Sequence, residues 1–74
     1  MLGRTRFAML VLLAHEHSTG DLARRLGVSN ATASAHATAL RGAGLITTFR
    51  AGRAVGHQRT LLGNLLVHRA QHQP

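Results

Sequence analysis

The chain has 74 residues, enough for one domain with a thin core, and no apolar run approaches the roughly 20 residues of a membrane span. Its nine basic residues are all arginine against two carboxylates, a formal net charge of +7 that points to an anionic partner such as nucleic acid. The lack of cysteine excludes disulfides and thiolate metal sites and fits a cytoplasmic location. Two carboxylates leave little for acid–base or nucleophilic catalysis, so no enzyme is expected.

The first predicted element is a helix over Phe7-Ala8-Met9-Leu10-Val11-Leu12-Leu13-Ala14. Arg4 and Arg6 ahead of this run mimic a secretion signal, but His15-Glu16-His17 stands where small cleavage-site residues would be needed. Phe7, Leu10, Val11 and Ala14 share one face, and Met9, Leu12 and Leu13 form much of another. A helix apolar nearly all round must be covered nearly all round.

The next segment, Thr19 to Thr32, is the most informative. Ser18 or Thr19 offers an oxygen to the free amides of a helix start, and Asp21 places negative charge in its first turn. Leu22 and Leu26, four apart, make one apolar stripe, and Ala23 permits a close helix crossing. Gly27 tolerates the left-handed conformation that stops a helix, Val28 plugs the turn, and Ser29 caps a second helix running to Ala43. This layout is a helix-turn-helix, whose second helix enters a DNA major groove.

Ala39 to Ile46 reads as another glycine stop followed by an extended start. Thr47-Thr48-Phe49-Arg50 and Val55-Gly56-His57-Gln58-Arg59 flank the turn Ala51-Gly52-Arg53, predicting a β-hairpin. Thr60 caps a final helix from Leu61 to about His72, with Gln71 to Pro74 as a frayed tail. The predicted fold is mainly α with a small β-hairpin: a winged helix-turn-helix with a three-helix core, a wing and a C-terminal helix. Residues 1–74 are expected to form a single DNA-binding domain.

The chain resembles the ArsR-type winged-helix transcriptional regulators over nearly its whole length. The residues that carry the resemblance are Asp21 to Ser29, Ala31-Thr32-Ala33-Ser34-Ala35-His36, Leu40 to Ile46, Gly52-Arg53-Ala54-Val55 and Thr60-Leu61-Leu62-Gly63. The resemblance implies a bacterial, sequence-specific regulator of double-stranded DNA, working as a homodimer on an inverted repeat and needing no cofactor. Helix 30–43 would lie in the major groove and wing 46–59 on the backbone or in the minor groove.

Helical spacing turns Ala33, Ala37 and Leu40 inward, leaving Asn30, Thr32, Ser34, Ala35, Thr38 and Arg41 outward or on the flanks. Ser29, Asn30 and Thr32 sit at the helix start, where an amide and a hydroxyl hold a phosphate. Asn30 can instead bond an adenine edge, and Ser34 and Thr38 are short partners for bases or phosphates. Ala35 replaces a commonly basic residue of the resembling family, which shifts affinity toward arginine–phosphate contacts. His36 points into the groove, as the resemblance implies, or flanks the core with one ring nitrogen satisfied. Arg50 and Arg53 bracket the hairpin tip, placed to enter a minor groove or clamp phosphate. Arg24 and Arg25 suit backbone contacts or a solvated face, Gly56 suggests an irregular second wing strand, and Arg59 faces solvent or a partner.

The first and last helices carry more apolar surface than so small a domain covers. Met9, Leu12, Leu13, Leu62, Leu65 and Leu66 are therefore expected at a two-fold homodimer interface, which the resemblance also implies. The alternative is that both helices bury these faces against each other within one subunit. Two other functions stay in view. One is a winged-helix protein-interaction module without DNA readout, favoured by the alanine-rich second helix. The other is a His-based metal-responsive repressor, suggested by His15/His17 and His68/His72. Without cysteine and nearly without carboxylates, no metal site is expected.

Overall fold

Two serine caps set the central motif. Ser18 Oγ accepts from the Asp21 amide at the start of α2 (Thr19–Leu26), and Ser29 Oγ accepts from the Thr32 amide at the start of α3 (Asn30–Gly42). Both helices also end alike. Gly27 (φ +69°) and Gly44 (φ +77°) take the left-handed conformation. The following amides, Val28 and Leu45, bond back to Ala23 and Leu40 at 3.0 Å each, closing paired Schellman turns. A side chain at either glycine would strain the stop, which is why the chain turns here.

The computed structural model describes residues 3–72; Gln73 and Pro74 of the expected tail lie outside the described residues. Around the motif run α1 (Arg4–Leu12), β1 (His17–Ser18), β2 (Ile46–Ala51), β3 (Ala54–Arg59) and α4 (Leu61–Gln71), the last continuing one residue into the expected tail. The three strands form an antiparallel sheet in the order β1-β3-β2, with Thr48 opposite His57 and Phe49 opposite Gly56. The expected hairpin is therefore present, but β1 is an addition. It pairs His17 with His57 and Ser18 with Gly56, and two isolated residues carry no alternation from which to read a strand.

Nor is β3 irregular. It is the central strand, and Gly56 lies against the Phe49 ring: an added Cβ would meet two ring carbons at 2.8 Å. The missing side chain makes room for an aromatic ring across the strand pair.

α1 packs on α2, α3 and α4, and the core gathers Met9, Leu10, Leu13, Leu22, Ala33, Ala37, Leu40, Ile46 and Val67. This corrects the expectation for Met9 and Leu13. Both are fully buried inside their own chain and present no surface to a partner. Leu12 is half-buried against the same core. α4 behaves differently. Only Gly63 and Val67 are buried, whereas Leu61, Leu62, Leu65 and Leu66 are 76%, 53%, 57% and 36% exposed.

The root of α4 is tied to the end of α3. Thr60 Oγ1 donates to the Gly44 carbonyl at 2.7 Å and accepts from the Gly63 amide at 3.1 Å. Arg59, expected to face solvent or a partner, is half-buried and engaged within its own chain. Its guanidinium donates to Asn64 Oδ1 at 2.8 Å and to the Leu10 carbonyl at 3.4 Å, locking α4 to α1.

Candidate nucleic-acid interface

α3 presents two chemically different sides. Ala33, Ala37 and Leu40 are buried, while Asn30, Ala31, Thr32, Ser34, Ala35, Thr38 and Arg41 are exposed, as helical spacing requires. At its start, Ser29 donates its hydroxyl proton to Thr32 Oγ1 at 3.0 Å while capping the helix. The Ser29 hydroxyl proton is thus engaged, and Thr32 carries the free hydroxyl donor of that turn. Thr38 is also engaged, its Oγ1 donating to the Ser34 carbonyl at 2.9 Å.

His36 lies off the outward face. It is half-buried, and its Nδ1 accepts from Arg6 Nε at 3.0 Å, so it joins α3 to α1. Of its two expected orientations the structure has the core-flanking one. Helical phase explains this: His36 is adjacent to Ala33, Ala37 and Leu40 on the helix wheel, on the side where α1 packs.

At the other end of α3 the wing approaches. Arg41, Thr48, Phe49, Arg50 and Val55 line one open groove between helix and hairpin. Two arginines thus line one open groove beside apolar Phe49 and Val55, a composition suited to an anionic backbone. Arg53 is exposed beside Gly52 at the hairpin tip and does not line this groove.

A buried histidine supports the floor. His57 is 3% exposed, with Nε2 2.7 Å from Thr19 Oγ1 and Nδ1 2.9 Å from Thr48 Oγ1. Burial, assisted by the positive charge of Arg41, pushes its pKa below the ordinary histidine value. A neutral ring can donate through one nitrogen and accept through the other, which matches two hydroxyl partners. Nothing in the local sequence singles out His57, which shares its strand with the polar Gln58 and Arg59.

Arg24 and Arg25 are held by Asp21, at 3.3 and 3.0 Å, and His17 Nε2 is 3.5 Å from the same carboxylate. The hydrogen bond from Arg25, with the nearby charges of Arg25, His17 and Arg24, keeps the Asp21 carboxyl below the usual range against some desolvation. The ring of His68 on α4 and that of His72, the residue capping its C-terminus, lie 4.4 Å apart, yet no group of three or more potential metal ligands occurs among the described residues. No helix among them is long and apolar enough to cross a membrane.

Capped helix-turn-helix, outward second helix and arginine-bearing wing together define a winged helix-turn-helix domain of the DNA-binding transcription-regulator class. More particularly, the chain belongs to the arsR family of bacterial regulatory proteins, whose model matches residues 4–48. Among solved structures, a mutant of Lactococcus lactis ZitR in apo form is 27% identical with a TM-score of 0.86, covering 97% of this chain and 59% of that one. RV1404 from Mycobacterium tuberculosis is 24% identical (TM-score 0.87), covering 93% of this chain and 50% of that one, and shows the same fold. The transcriptional regulator BldR from Sulfolobus solfataricus, also 24% identical, gives a TM-score of 0.85 with 90% and 51% covered. The chain thus spans between 50% and 59% of the length of these three structures. No curated protein sequence matches it.

Proposed function

We propose that the 74 residues act as one DNA-binding domain that recognises a specific double-stranded sequence and regulates transcription in the cytoplasm. α3 enters the major groove, and the wing lies on the backbone or in the minor groove. The observation that carries this reading is the groove shared by Arg41 of α3 and Arg50 of the wing, since one phosphate backbone can engage both. Asn30, Thr32 and Ser34 keep free polar groups beside α3 for base edges or phosphates, and Arg53 extends the cationic surface at the wing tip.

The working form is a homodimer on an inverted repeat. Leu61, Leu62, Leu65 and Leu66 form an exposed apolar strip along α4, with Leu12 half-buried on α1, and a second copy is the partner that α4 on α4 packing provides. To read an inverted repeat, that two-fold axis has to set the two α3 helices roughly 34–36 Å apart, one turn of DNA.

Salt titration tests the reading. If each subunit neutralises about three to five phosphates, the log–log slope of affinity for duplex DNA should be roughly −5 to −9 for the dimer. A flat slope, or no retention of duplex DNA at low salt, rejects it in favour of a protein-interaction module.

A further inference from the structure

Along its outermost line α3 lacks free side-chain hydrogen-bond donors. Ala31, Ala35 and Thr38 are exposed and recur at one-turn spacing on the side away from buried Ala33, Ala37 and Leu40. The two alanines offer a methyl group and nothing else. Thr38 has spent its hydroxyl proton on the Ser34 carbonyl, which leaves an acceptor oxygen and a methyl. Free donors stand at the edges: Asn30 and Thr32 in the first turn, Ser34 on one flank, and Arg41 beside the wing.

Base edges differ in what such a surface can reward. Guanine shows two acceptors in the major groove and needs donors, and adenine needs a donor together with an acceptor. Only the pyrimidine C5-methyl group gains from apolar contact with Ala or the Thr methyl. Resting on the DNA-binding reading above, we infer that Ala31, Ala35 and Thr38 make α3 a reader of pyrimidine C5-methyl groups. Each half-site then places such methyls opposite the helix centre, supplied by thymine or by 5-methylcytosine. Short side chains also require the helix axis to sit close to the bases. The Arg41–Arg50 groove supplies the attraction to phosphate that holds it there.

The test uses the full chain and a duplex selected by it from a random library. Each thymine of the half-site is replaced in turn by deoxyuridine, which removes the methyl and keeps base pairing and every other edge group. Replacement at a central position should weaken binding about fourfold, the equivalent of about 0.8 kcal/mol for one buried methyl, with the salt slope unchanged. In Ala35→Gly and Ala35→Ser the deoxyuridine penalty at the facing position should shrink, a coupling that a helix-stability effect alone does not produce. Replacing the sensitive T·A pair by 5-methyl-dC·dG separates the sources. Binding tighter than the thymine site identifies methylated cytosine as the natural methyl, and weaker binding identifies thymine. A library that yields no preference, or deoxyuridine silent at every position with the steep salt slope intact, overturns methyl reading and leaves DNA binding standing. Failure to retain any duplex at low salt overturns both.

Discussion

His57 Nε2 lies 2.7 Å from Thr19 Oγ1, thirty-eight residues away, and so pins the central wing strand to the start of α2. The opposite ring nitrogen meets Thr48, whose side chain lines the Arg41–Arg50 groove. Wing and scaffold therefore share one buried imidazole, through a threonine that also lines the groove beside Arg41 of α3.

That imidazole predicts a pH dependence. The folded-state pKa of His57 is lowered by burial and by Arg41, so the unfolded chain binds its proton more readily. The resulting stability is fully present above the unfolded value of about 6.5 and is lost as pH falls from there through the folded-state pKa. Denaturant unfolding at pH 7.5 and pH 5.5 should show a drop in the native chain that is smaller in His57→Gln. His57→Ala should cost about 1–3 kcal/mol at pH 7.5 by leaving the two threonine hydroxyls without their partner. An equal pH response in His57→Gln would assign the effect to another group.

Two glycines should respond oppositely to alanine. A Cβ on Gly63 would run into the Leu45 carbonyl, and the backbone there is held by the Thr60 amide. Gly63→Ala should therefore destabilise by about 1–3 kcal/mol and shift α4. A Cβ on Gly42 meets nothing within 4 Å, and the residue is helical, so Gly42→Ala should stabilise by about 0.5–1 kcal/mol. Thermal melts of the two variants decide the matter by sign alone.

Base readers and backbone clamps should separate in binding assays. Arg53→Ala is expected to weaken binding to most sequences alike and make the salt slope shallower by about one per subunit. Asn30→Ala or Ser34→Ala should cost about 1–3 kcal/mol on the preferred site and much less elsewhere. The assignment fails where the wing change alone abolishes sequence preference and both helix changes are silent.

The α4 leucines can be charged without entering the core of their own chain. Leu65 is 57% exposed, so Leu65→Glu should leave the monomer fold intact by circular dichroism while abolishing the dimer in sedimentation equilibrium. Loss of the second half-site should then weaken binding to an inverted repeat far more than to a single half-site. A native chain that is monomeric at high micromolar concentration and still binds a palindrome tightly would contradict the dimer.

Much of this molecule is legible in its residues because the relevant physics is local. Ser18, Ser29 and Thr60 cap helices through amides three residues away, Gly27 and Gly44 end them, and Leu22 with Ala33, Ala37 and Leu40 mark buried faces by spacing alone. The ArsR-type arrangement, the hairpin and the outward face of α3 follow from those signals. Tertiary structure decided the rest. A helix apolar all round, such as α1, carries no phase, so only packing on α2, α3 and α4 could turn Met9 and Leu13 inward and leave the open leucines to α4. The partners of His36, His57 and Arg59 lie 30, 38 and 49 residues away, beyond any local spacing rule. Each of these polar groups took its orientation from what it met when the chain closed, because burial made an unpaired donor or acceptor too costly to leave.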